Sequence, residues 1–309
     1  MRRGEREAPQ ASPGTALLLC AASVAGLTLL RLGVAALGLS AGAALAAQTG
    51  GTLLFVLLPA VLGLMVLSGD QTQLVRFRAL TPAGIRLIAL TGALAVCPAT
   101  LLSDVAAALA AALAPSGGRE AVAAARAAGL AGLDGRLFLP MLLQSALLAP
   151  VCEELFFRGY LLGVFTRGGK PRACAAALAT ALLFALAHGL DLTLIVYAPL
   201  GALFALLALR ADSVLAAMLA HGCYNAALLA LAFAGLDGLF SGLTPLSCAV
   251  RLLGTAAFVW TLRRAVALRP ARKRARLWDG RGFSRREMAL LAGELAALIV
   301  SQIVLGFMT

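Results

Sequence analysis

Residues 137–166 read LFLPMLLQSALLAPVCEELFFRGYLLGVFT. The stretch exceeds the ~20 mostly apolar residues that a membrane helix needs, yet Glu153, Glu154 and Arg158 lie well inside it. Charged side chains in mid-membrane are expensive; they face a bundle interior or water and are functional candidates by default. What surrounds this stretch decides the fold, and what balances its charges decides the chemistry.

The surroundings are equally apolar. Of 309 residues, 61% are hydrophobic and 13% charged, with a mean hydropathy of +0.93. Soluble domains hold about 45–50% apolar and about 25% charged residues, so the chain reads as one polytopic membrane domain. Candidate spans are 15–47 (one long or broken helix), 51–69, 87–114, 137–166, 173–190, 192–209, 213–236, 245–262 and 287–309. The expected fold is therefore all-α, a transmembrane bundle of about eight to nine helices, with no internal repeat. The first apolar region contains ALAAQ, which mimics a signal-peptidase site. It is much longer than the usual core of about 7–15 residues, so it reads as an uncleaved anchor.

The net charge of +12 is carried by arginines in short loops, which favours a topology signal over nucleic-acid binding. With the N-terminus inside and nine spans alternating, twenty of the 26 basic residues fall in inner segments. Only Arg119, Arg126 and Arg136 fall in outer ones, while Arg31, Arg158 and Arg251 lie within spans. This asymmetry predicts a multi-pass protein of the cell membrane with a cytoplasmic N-terminus. Segment 263–286 carries ten basic residues; it reads as a topology signal that could also attract anionic lipid. Segment 115–136 reads as an interfacial helix on the outer side, with no function assigned. The six cysteines lie in apolar runs without CxxC spacing and read as small buried hydrophobes, neither disulfides nor metal ligands.

Among the intramembrane charges, Arg31, Arg251 and Glu294 can snorkel from near span ends, and Asp104 has no partner visible in sequence. Glu154 and Arg158, spaced i, i+4, share a helix face and can neutralise each other. Glu153 is rotated about 100° away and is left for another neighbour. The chain has only two histidines, His188 and His221, both in apolar spans. His221 and Asn225 are again i, i+4. A carboxylate to take a proton from water, imidazoles to position it and donors for an oxyanion are what amide hydrolysis needs. Glu153, His188 and His221 could instead hold zinc with an open position, although HExxH is absent.

EELFFRG, FALAH and HGCYN resemble, in order and on separate helices, the EExxxR, FxxxH and HxxxN motifs of the CPBP family of intramembrane proteases, also called Abi or type II CAAX prenyl proteases. The resemblance covers roughly 137–230. It implies a catalytic core at 137–236, family-variable N-terminal helices at 1–136 and C-terminal helices with a basic cytoplasmic loop at 237–309. It implies Glu153 as general base with His188, His221 and Asn225 at the oxyanion, and Glu154 with Arg158 completing the cluster, Glu154 sometimes counted as catalytic. Members are described both as metalloproteases and as glutamate-dependent enzymes, so the cofactor expected is none or zinc. Twenty-four arginines against two lysines, with abundant alanine, suggest a high-GC bacterium and a peptide or membrane-protein substrate rather than a prenylated tail. Two other function classes use the same residues: a non-catalytic membrane protein that binds a peptide or partner, and a proton-coupled transporter. One feature fits poorly. With all helices upright, His221 lies roughly 10 Å shallower than Glu153 and His188; a tilt, or a break at Pro150, would close the gap.

Overall fold

A computed structural model describes residues 12–66, 74–113, 135–166, 173–189 and 192–268. Eight apolar helices account for most of them: α1 (Pro13–Leu37), α2 (Ala41–Met65), α3 (Pro82–Leu113), α4 (Gly135–Thr166), α5 (Ala173–His188), α6 (Leu194–Ala211), α7 (Val214–Phe233) and α8 (Pro245–Ala267). Seven are long enough to cross a membrane; α5 is a shorter apolar helix. The described residues contain no strand, and the chain is an all-α polytopic bundle. The expected span 287–309 and most of segments 115–136 and 263–286 lie outside the described residues.

Local chemistry sets the helix starts. Ser12–Pro13, Thr81–Pro82 and Thr244–Pro245 each put a hydroxyl at the N-cap and proline at the first helical position. The hydroxyls accept from the amides of Thr15, Gly84 and Ser247 at 3.1, 3.1 and 3.2 Å. Proline has no N–H to leave unsatisfied there, and its fixed φ suits the first turn. The expected span 15–47 is not one helix: Gly38, at φ 56°, ends α1 in the left-handed conformation, and Ser40 caps a new helix. Residues 41–47 therefore belong to α2, ahead of the expected start at 51.

The packing inverts the soluble pattern. Leu18, Leu29, Leu37, Leu252 and Leu253 are exposed, while Glu154, Arg158 and Arg251 are buried. Helices meet at small residues: Gly92 of α3 lies against the Ala220 backbone, and Gly222 of α7 lies against the Ala146 carbonyl of α4. α7 is thus clamped on both sides of His221.

Links between connections define two ends of the bundle. At one, Asp212 in the α6–α7 turn pairs with Arg76 and Arg78 at 2.9 and 3.0 Å. At the other, Arg31 donates to the His188 carbonyl at 2.9 Å, and Arg251 bonds to the carbonyls of Gly242 and Thr100. The first end is rich in arginine and the second poor. Arg251 does not snorkel: its side chain is fully buried and pairs with Asp104 at 2.6 Å. This supplies the partner of Asp104 that the sequence did not reveal. All six cysteines are free; Cys20, Cys97 and Cys152 are buried, but Cys174 is exposed and Cys223 and Cys248 are half-buried. The expectation of six buried residues is corrected at those three.

Candidate active site

α4 is not a uniform helix. Six α-helical residues, Ala149–Glu154, sit between two π-helical stretches, Leu143–Leu148 and Leu155–Leu161. Such widened turns are rare and frequent at functional sites. In the first stretch the amide of Ala149 reaches back five residues to Gln144. By the same pattern the amide at 150 would serve the Ser145 carbonyl, but Pro150 has no N–H to give. Asn225 of α7 takes that place, its Nδ2 donating to the Ser145 carbonyl at 2.7 Å.

The two adjacent glutamates have different surroundings. Glu154 is fully buried; its Oε1 accepts from Arg158 Nη1 and from His221 Nδ1, both at 2.9 Å. Arg158 gives Nη2 to the Gly201 carbonyl of α6 at 2.7 Å, and its guanidinium lies 4.5 Å from the Phe184 ring centroid. His221 stacks on Phe204, centroids 4.6 Å apart at 15°. Glu153 turns to the other side. Its Oε2 is buried without a hydrogen-bond partner and lies 3.8 Å from His188 Nε2. His188 Nδ1 is 2.8 Å from the Phe184 carbonyl. A carbonyl only accepts, so this assigns the proton to Nδ1 and leaves Nε2 of the neutral ring as an acceptor facing Glu153. Tyr197 stacks on the His188 ring, centroids 4.2 Å apart.

Glu153, His188, His221 and Asn225 line one cavity of about 1500 Å³, together with Phe184, Phe204, Tyr197 and Tyr224. Glu154 and Arg158 stand behind its wall. All six residues singled out in the sequence are therefore brought together. Tyr197, Phe204 and Ser145 carry no signal in the sequence, because their roles depend on which helices become neighbours. The depth difference also has its physical reason here. Val75 packs at Gly159 and Leu74 at Gly163, and the Val214 amide bonds to the Arg76 carbonyl. α7 therefore begins close to residues 159–163 of α4, about 5–10 Å short of Thr166.

Among the described residues no group of three His, Cys, Asp or Glu side chains is gathered to hold a metal, while each histidine gives Nδ1 to a protein acceptor and keeps Nε2 for another partner. Glu153 Oε2 and His188 Nε2 are too far apart to bond directly.

Residues 135–227 match the model of a family described as type II CAAX prenyl endopeptidase, Rce1-like. The matched segment runs from the start of α4 into α7 and contains all six residues of the cluster. It coincides with the family that the three motifs resemble. No curated protein and no solved structure matches the chain.

Proposed function

We propose that this protein is an intramembrane endopeptidase that hydrolyses a peptide bond of a membrane-associated peptide or protein with a water activated by Glu153 and His188. The observation that carries the reading is that Glu153 and His188 line one cavity side by side, Oε2 and Nε2 3.8 Å apart. A water held by both side chains from the cavity turns its lone pairs toward a substrate carbonyl. As its oxygen attacks the carbonyl carbon, Glu153 takes one proton and later delivers it to the leaving amine.

The negative charge that develops on the carbonyl oxygen needs donors. Asn225 Nδ2 has a second hydrogen beyond the one given to Ser145, and His221 stands beside it on the cavity lining. Glu154 acts as a positioning residue: it holds His221 by Nδ1 and is itself held by Arg158. The reading puts the protein in the cell membrane with its N-terminus in the cytoplasm, on the arginine asymmetry. The basic segment 263–286 then meets the inner leaflet, where anionic lipid is its natural partner.

Wild-type protein reconstituted with candidate peptides is expected to cleave, and Glu153→Ala is not; equal cleavage by both would reject the proposal. A binding protein using the same cavity would keep its cellular activity in Glu153→Gln, and a transporter would show substrate flux in proteoliposomes. Cleavage is expected to survive exhaustive dialysis against a chelator. Loss on chelation with recovery on added zinc would reassign the mechanism to a metal.

A further inference from the structure

We propose that the cavity is open to the extracytoplasmic side of the membrane and receives exported or membrane-inserted polypeptide, not cytosolic tails. The inference rests on the protease reading of the site and adds the side from which substrate arrives. It begins with helix length. α5 and α6 have 16 and 18 residues, about 24 and 27 Å at 1.5 Å per residue, whereas α3 and α4 have 32 each. The α5–α6 hairpin stops short of its taller neighbours. His188 is the last residue of α5 and Tyr197 lies in the first turn of α6, so the hairpin tip forms the floor of a recess.

The walls come from the outer halves of longer helices. Thr100, Ser103, Ala107 and Ala111 form a stripe of small side chains on α3, with Met141 and Ser145 on α4 and Leu228 and Ala232 on α7. The rim includes Asp237, Phe240 and Ser241 of the α7–α8 connection. Every one of these elements lies toward the arginine-poor end, and the arginine asymmetry makes that end the outside. No described residue of segments 74–81 or 212–213 lines the cavity.

The opposite end is closed. Leu74 and Val75 pack on Gly163 and Gly159, and Arg76 and Arg78 are tied to Asp212. Ser213 exchanges hydrogen bonds with the Arg78 backbone at 2.6 and 3.2 Å. Phe157, Leu161, Leu207 and Val214 are buried in the same core cluster as Val75. A cavity of about 1500 Å³ exceeds the ~300–1,000 Å³ of pockets built for small ligands, which suits a length of polypeptide.

Impermeant maleimide labelling, read site by site by mass spectrometry, tests the geometry without relying on activity. Exposed Cys174, near the start of α5, marks the arginine-rich end, and Ser241→Cys marks the rim. In intact cells Ser241→Cys is expected to react, and Cys174 only after permeabilisation. The reverse pattern, or a rim cysteine that reacts only after permeabilisation, would overturn the proposal. In a second arm, right-side-out and inverted vesicles receive a membrane-impermeant pool of quenched peptides. Right-side-out vesicles are expected to cleave it at least tenfold faster, a difference that Glu153→Gln abolishes. Faster cleavage by inverted vesicles overturns the sidedness. Absence of cleavage in both, with labelling as expected, removes the protease reading and leaves the orientation standing.

Discussion

Two neighbouring carboxylates, Glu153 and Glu154, meet opposite environments because a helix turns about 100° per residue. Glu154 is sealed among Arg158, His221 and aromatic rings, so removing a partner leaves a buried charge uncompensated. Arg158→Ala is expected to destabilise the protein by about 3–5 kcal/mol, measured as lost resistance to denaturant in detergent. Glu153 faces the cavity and bonds to no protein group, so Glu153→Gln is expected to fold like wild type and lose about 10²–10⁴-fold in cleavage rate. The i, i+4 pairing of Glu154 with Arg158 was legible in the sequence. The bond from His221 to Glu154, across 67 residues, was not, because it depends on how α7 is set against α4. Asp104 and Arg251, 147 residues apart, were hidden for the same reason. Arg251→Met is expected to cost about 3–5 kcal/mol, and Asp104→Leu with Arg251→Met to recover most of it; a double variant as unstable as the single one would contradict the pairing.

At the scale of helices, the site depends on α7 being held between two close contacts. Gly92 meets the backbone at Ala220, and Gly222 meets the Ala146 carbonyl, one on each side of His221. Gly222→Leu is expected to push α7 from α4, break the Asn225–Ser145 bond and lower kcat about 10²-fold or more, while the helical circular-dichroism signal remains. Unchanged kcat would show that the clamp does not set the site. The Ser–Pro and Thr–Pro pairs at 12–13 and 81–82 start helices two and five residues ahead of the apolar runs at 15 and 87, and the pair at 244–245 coincides with the run at 245. Hydropathy reports where lipid is tolerated, not where an amide is capped. The π-helical turns around Glu153 and Glu154 leave no hydropathy signal; Pro150 is their one visible trace, where a break was one of two alternatives, the other being helix tilt.

For the whole molecule, 61% hydrophobic residues leave only helices or a closed barrel to satisfy the backbone in lipid, and apolar runs of about 20 residues, twice a barrel strand's length, decide for helices. The arrangement of the bundle was not readable, because the apolar spans look alike and lipid rewards them equally. The polar residues broke that degeneracy: their types and order pointed to one shared chamber. What that chamber does is most directly measured in cells, by comparing newly formed peptide termini in membranes and medium between the wild type and Glu153→Gln expressed at equal level. The account predicts a discrete set of membrane or exported substrates cut only with the wild type. Identical termini from both proteins, in cells where the wild type restores the normal phenotype, would contradict it.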